Sequence, residues 1–270
     1  MVIRRIREHV AELNWVAVAV DLAIVVVGVF LGTQANNWNQ ARLTREQARE
    51  DQAMLIDDLE ANQQNLAMRT RYYQWVHGGA ERALAALGQP ASALGKDFLI
   101  DAYTASQILP WSLKRNAYDQ IQSAGRVGAI GDTAIRDEIT NYYVTSGVTG
   151  ENLASSPPYR EILRRMMPYA AQRAIRTGCN ETIAEDKRGQ AVMILPTSCA
   201  ITLDSATTTA AVSQVRNTQG LALDLNRLLV DLDQKLVSTH VIARRAAALE
   251  RSLKREPRRL SARLDRSFST

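Results

Sequence analysis

VDLAIVVVGVFLGTQANNWN, residues 20–39, is apolar enough to sit in lipid, yet an acid, Asp21, stands near its start and asparagines crowd around Trp38 at its end. Extended back to Leu13, the run up to Ala35 carries only Asn14, Asp21 and Gln34 as strongly polar residues. About 23 residues rising 1.5 Å each make roughly 34 Å of helix, enough for a bilayer core of about 30 Å. Trp15 and Trp38 flank the run where aromatic anchors sit at the two interfaces. The reading is one transmembrane helix over residues 13–35, with the lipid bilayer as its first partner.

Orientation follows from the charges. Arg4, Arg5 and Arg7 precede the helix, against Arg42, Arg45 and Arg49 beyond it, and the long segment that follows weakens the rule on that side. The N-terminus is therefore expected in the cytoplasm and the rest of the chain outside it. The rival is a cleaved signal peptide with Thr33-Gln34-Ala35 as the processing site. The apolar run is longer than the usual 7–15 residues of such a segment, and it contains an acid.

At 100° per residue, Ala17, Asp21, Gly28, Gly32 and Ala35 fall within a stripe about 60° wide on one helix face. Gly28 and Gly32 form a GxxxG pair, which lets two backbones approach, and an acid on the same stripe would face the partner helix rather than lipid. The expectation is a homo-oligomer joined through this face. Two readings of Asp21 stay open: a buried acid that carries a proton or binds a cation, or a residue near enough to the inner interface to be hydrated or paired with His9 or an N-terminal arginine.

The remainder reads as helix. Leu43, Ala48 or Gln47, Met54 or Leu55, Leu59, Leu66 and Tyr73 recur at helical spacing as far as Gly78-Gly79, where a break is expected. Asp97 is placed as the cap of a helix ending near Leu109-Pro110, and a short helix spans residues 111–123. Asp132 caps a helix over residues 133–146 after the breakers Gly125, Gly128 and Gly131. Pro157-Pro158 starts another, interrupted at Pro168 and closed by Gly178. A long helix runs from Thr207 to about Arg255 on a stripe through Val212, Val215, Leu221 or Ala222, Leu225, Leu228 or Leu229, Leu232 and Leu236.

One segment departs from this pattern. Between Cys179 and Cys199 lie the polar turn DKRGQ and the run AVMIL, read as a small β-hairpin or loop insert. Outside the cytoplasm the two cysteines would close this segment as a disulfide, worth roughly 3 kcal/mol; two buried free thiols are the alternative. The fold class is thus mostly α: a membrane helix continuing into a helical bundle with one small insert near 179–199. The domains are 1–12 cytoplasmic, 13–35 in the membrane, 36–253 a periplasmic helical domain, and 254–270 a basic tail.

Two motifs, DLAIVVVGVFLGTQANNWNQAR (residues 21–42) and AYDQIQSAGRVGAIGDTAIRDEITNYY (residues 117–143), resemble an uncharacterised family of bacterial single-pass membrane proteins. Its members share an acid, a Val/Ile/Gly-rich run and a Gln-x-Asn-Asn-Trp-Asn exit; Asp21 stands where they commonly carry Glu. The two motifs cover about a fifth of the chain. The resemblance implies an envelope protein and brings no catalytic residues. The cysteine-flanked insert and the basic tail have no counterpart in it.

Charge and motifs narrow the function classes. The net charge is +5, but from Arg244 onward nine Lys or Arg face three acids, so the basicity belongs to the tail and the rest is near neutral. That tail, as an amphipathic helix, suits anionic lipid or another anionic polymer of the envelope; a solvated end is the plainer reading, and nucleic acid lies on the wrong side of the membrane. His9, His77 and His240 have no acid or cysteine at ligand spacing, so no metal is expected. Nucleophile-elbow, P-loop and dinucleotide patterns are absent from the sequence, and no cofactor is expected. The glycines of SAGRVGAIGD suit a turn better than a phosphate cradle, because Asp132 holds the helix start. Tyr142-Tyr143 beside Arg136 reads as a core pair before it reads as a ligand wall.

The expected function is a non-enzymatic accessory, scaffold or sensing subunit of an envelope complex, with another envelope protein as a partner. Two rivals stand beside it. One is an ion-coupled subunit using Asp21, similar in layout alone to stator-type proteins of proton-driven machines. The other is a secreted ligand-binding protein released by cleavage at Ala35.

Overall fold

The computed structural model describes the backbone of residues 15–110, 112–185 and 191–267, and side chains between Ala19 and Arg255 within those limits except at Ala191. The leading segment with Arg4, Arg5, Arg7 and His9, the turn at 186–190, the side chains of Trp15 and Ala17, and those of the tail beyond Arg255 lie outside the described residues. The protein is mostly α-helical with a small two-stranded insert. It divides into two compact units, Met1–Ala53 and Met54–Thr270.

Helix α1 spans Trp15–Leu87 without a break. In the first unit its apolar side chains have no cover: Leu22, Ile24, Val29, Phe30 and Leu31 are each more than half exposed, and Trp38 is 68% exposed. The helix turns polar beyond residue 35. There the side chains bond along the helix, Arg42 to Asn39 and Glu46, and Gln47 to Glu50 and Asp51.

The second unit is organised by a repeat of 3.5 residues. Along α1 the buried positions are Leu55, Leu59, Asn62, Leu66, Arg69, Tyr73, Val76, Ala80 and Ala83, in alternating steps of four and three. Helix α8 (Leu221–Ser267) buries Leu221, Leu225, Leu228 and Leu232, then Thr239, Ile242, Ala246, Leu249 and Leu253 in the same rhythm. Helix α4 (Thr133–Ala154) adds Ile135, Ile139, Tyr142, Ser146 and Leu153 and packs along α8. A strict seven-residue repeat keeps one seam of each helix turned to its neighbours.

The core falls into two clusters along these helices. One gathers Leu55, Leu59 and Leu66 with Tyr118, Ile121, Tyr143, Ile242 and Leu249. The other gathers Tyr72, Val76 and Ala83 with Leu99, Tyr103, Tyr159, Ile175, Val212 and Leu225. Each fully buried Leu or Ile contributes about 1.5–3 kcal/mol by leaving water.

The shorter helices depart from the sequence expectations at their ends, for reasons the packing supplies. Gly78-Gly79 does not end α1. A Cβ on Gly79 would lie 2.9 Å from Thr104 Cγ2 and 3.2 Å from the Asp101 carbonyl oxygen, so the glycine lets α2 (Lys96–Ala105) cross closely. Helix α2 begins after Gly95; Asp97 sits in its first turn as a charge favourable to the dipole and makes no cap. It stops at Ala105 rather than near Pro110, with Arg160 donating to the Ser106 carbonyl at 2.6 Å and Arg164 to its hydroxyl at 2.7 Å.

Helix α3 covers only Asn116–Ser123. Its end is a Schellman turn: Gly125, at φ 69°, donates to Gln122 and Arg126 donates to Ile121. Asp132 caps α4 as expected, accepting the Ile135 N–H at 3.0 Å, but the helix runs on past Ser146 to Ala154. Pro157 and Pro168 stand at the starts of α5 (Pro158–Met166) and α6 (Tyr169–Gly178).

The insert is a hairpin, β1 (Thr182–Glu185) antiparallel to β2 (Ala191–Ile194), with Thr182 opposite Ile194. Cys179 and Cys199 flank it at disulfide distance, their Cα atoms 4.7 Å apart. The long helix expected from Thr207 is two helices, α7 (Ser205–Arg216) and α8. Gly220 takes φ 78° between them, a conformation open to glycine and costly to other residues. The apolar stripe survives the break.

Candidate functional site

The seam of the second unit carries cations where its repeat calls for leucine. On α1 the position is Arg69, 1% exposed; on α8 it is Lys235, between Leu232 and Thr239. Removing a charge from water is expensive unless it is paired. Among the described residues, neither side chain has a carboxylate at ion-pair distance.

The acceptors are neutral. Arg69 donates to Asn65 Oδ1 at 3.0 Å, to the Tyr73 hydroxyl at 3.1 Å and to the Leu109 carbonyl at 3.4 Å. Lys235 Nζ donates to the carbonyls of Leu153 at 3.3 Å and Ser155 at 3.0 Å, which close the C-terminal end of α4. Its ammonium also stands 5.8 Å from the centre of the Tyr73 ring, and the Tyr73 hydroxyl donates to Leu153 at 3.0 Å. A cation at a helix C-terminus is favourable, which explains the position of Lys235. Burial lowers the Lys235 ammonium below the usual lysine range; Asp231 opposes the shift and Arg69 adds to it.

Beside this layer opens a cleft of about 460 Å³. Tyr73, Leu109, Leu153, Leu228 and Leu232 supply apolar walls, and Asn152, Ser156, Gln234, Lys235 and Ser238 supply polar groups. At the rim Arg227 and Asp231 pair at 4.0 Å, so their charges offset.

The segment that lines the cleft with Gln107, Ile108 and Leu109 is held by a second polar group. Arg164 lies 3.6 Å from the centre of the Tyr103 ring and donates to the Gln107 amide oxygen at 3.1 Å. Gln107 in turn donates to Asn180 at 3.1 Å and Glu181 at 3.3 Å. The Tyr72 hydroxyl donates to the Ile108 carbonyl at 2.9 Å. Burial pushes the Tyr72 hydroxyl well above the ordinary tyrosine range and lowers Arg164 from the usual arginine range.

The residues singled out in the sequence fall elsewhere. Because α1 is continuous, Asp21, Gly28, Gly32 and Ala35 share one side of it, all exposed, and a Cβ at Gly28 or Gly32 would meet nothing within 4 Å. Among the described residues this is the one helix long and apolar enough to cross a membrane. Tyr142 and Tyr143 are core residues, Tyr143 stacked on Tyr118 at 4.4 Å, and Arg136 bonds instead to the carbonyls of Gly128 and Gly131. His77 lies between Glu81, at 3.4 Å, and Asp233, at 3.2 Å. Sequence reasoning missed Arg69 and Lys235. The signal was present as two charged residues in heptad positions that are otherwise uncharged.

Compared with protein-family models, with curated proteins and with solved structures, the chain matches none.

Proposed function

We propose that this chain is a single-pass inner-membrane protein with its N-terminus in the cytoplasm and its helical unit in the periplasm. It serves as a non-enzymatic accessory, scaffold or sensing subunit of an envelope complex. It assembles through the face of Asp21, Gly28, Gly32 and Ala35, and it belongs with the uncharacterised single-pass family its two motifs resemble.

One observation supports this reading most. From Val20 to Leu31 every large apolar side chain is at least 51% exposed, while the second unit buries a full core of its own. Such a surface is unfavourable in water at about 25 cal/mol per Å² and is covered without further protein in a bilayer. A helix that runs on past Ala35 to Leu87 also suits an anchor better than a removable leader.

The test is extraction and topology together. The chain should stay with membranes in alkaline carbonate, keep its N-terminal residues in the intact mass, and give active alkaline phosphatase fusions after Leu87. A mature chain beginning at Asn36, or release by carbonate, would overturn the anchor. Gly28→Leu with Gly32→Leu should reduce cross-linked oligomer; an unchanged oligomer would remove the packing face from the proposal.

A further inference from the structure

We infer that the cleft beside Lys235 is a binding site for a small organic carboxylate, and this stands apart from the membrane reading because every residue it uses lies in the second unit. Three observations carry it. The first is charge: Lys235 lines the cleft and Arg69 bonds to two of its lining residues, Tyr73 and Leu109, and among the described residues both cations have only neutral hydrogen-bond acceptors and no carboxylate at contact distance.

The second is donor geometry. An ammonium has three N–H groups. Lys235 places two of them on the carbonyls of Leu153 and Ser155, which fixes the side chain and leaves the third for the cleft it lines. Arg69 donates to Asn65, Tyr73 and Leu109 and is not among the lining residues, so it acts through its field rather than by contact.

The third is the character of the walls. A volume of about 460 Å³ lies within the range of small-molecule sites, about 300–1,000 Å³. Leu228, Leu232 and the Tyr73 ring accept an apolar or ring-shaped body, and Asn152, Gln234 and Ser238 offer hydrogen bonds to hydroxyl substituents. With Arg227 and Asp231 offsetting each other, Lys235 is the single unbalanced charge among the lining residues, which matches a monocarboxylate better than a multiply charged phosphate.

The experiment is calorimetric titration of the full chain in detergent with lactate, glucuronate and benzoate, each beside its uncharged amide and beside inorganic phosphate. At least one carboxylate should bind with a dissociation constant on the order of millimolar or tighter, and its amide should not. Lys235→Met should weaken that binding about tenfold or more, the loss expected for one charge-assisted hydrogen bond. Gln234→Trp, a change at an exposed lining residue, should block the cleft with the helical circular dichroism intact, and it decides the matter if Lys235→Met unfolds the chain. No binding by any of the three acids, equal binding of phosphate, or binding that survives Gln234→Trp would overturn the assignment.

Discussion

Asn62 brackets Lys114 across 52 residues of chain: its amide donates to the Lys114 carbonyl at 2.8 Å, and its own oxygen accepts the Lys114 N–H at 2.6 Å. The same amide donates to the Tyr142 hydroxyl at 3.2 Å. One side chain, 1% exposed in a leucine-type seam position, thereby joins α1 to the segment before α3 and to α4. Burial pushes the Tyr142 hydroxyl up to about 12, with Asn62 opposing that shift.

Asn62→Ala strands the Lys114 peptide groups and removes a partner of Tyr142. The expected loss is about 3 kcal/mol, several times that of an exposed substitution, because buried polar groups left unpaired cost about 1–3 kcal/mol each. Urea denaturation of the full chain in detergent measures it. Asn62→Leu should recover part of the loss through apolar packing but leave the Lys114 groups unpaired.

Adjacent glycines on α1 should respond with opposite signs. Gly78→Ala meets only the flexible Arg82 guanidinium at 3.1 Å, so the helix-propensity gain of up to about 1 kcal/mol should prevail. Gly79→Ala presses on Thr104 at 2.9 Å and on the Asp101 carbonyl at 3.2 Å, and overpacking of about 1–3 kcal/mol should outweigh the same gain. Thermal unfolding of both variants provides the comparison, and stabilisation by Gly79→Ala would contradict the close crossing of α1 and α2.

Gly178 is still tighter. A Cβ there would meet the Ala200 carbonyl oxygen, which is backbone and next to Cys199. Cys179 and Cys199 are 20 residues apart, and closing such a loop is worth about 3 kcal/mol. In chain isolated from the envelope, both cysteines should resist alkylation until reduced. The Cys179→Ser, Cys199→Ser pair should lose about 3 kcal/mol of stability, and full alkylation without reductant would show that the pair is not oxidised.

Asp58 predicts a pH dependence. It accepts the Ala117 N–H at 3.0 Å at the start of α3, yet burial raises its carboxyl above the ordinary 3.8, a shift that the Ala117 bond and Lys114 only partly offset. A folded value above the unfolded one means that the protonated form is favoured by folding. The contribution is present below pH 3.8 and is lost as pH rises through the raised value. Asp58→Asn keeps a capping oxygen and should therefore match or exceed the wild type in stability at neutral pH, with the difference disappearing in acid. Denaturant midpoints of both proteins across that range test the sign.

Much of this architecture was legible in the chain. The apolar run from Val20 to Leu31, the prolines at 157 and 168 and the cap at Asp132 act through local geometry, so a short window carries their meaning. The cysteine-flanked hairpin was legible for the same reason. The apolar stripes of α1 and α8 are visible in the chain too, and they carry Arg69 and Lys235 respectively. Periodicity names the face a residue occupies and says nothing about what lies opposite.

The sequence by itself determined a mostly helical chain with an exposed apolar helix near its start, because hydrophobic pattern and backbone sterics act over a few residues. Only the tertiary structure decided where α2 stops, why Gly78-Gly79 leaves α1 unbroken, and that Arg69 and Lys235 meet around Tyr73. Those outcomes rest on hydrogen bonds and close approaches between segments from 25 to 162 residues apart, such as Gly79 with Thr104 and Tyr73 with Lys235. At such separations the partner of a side chain is chosen by packing.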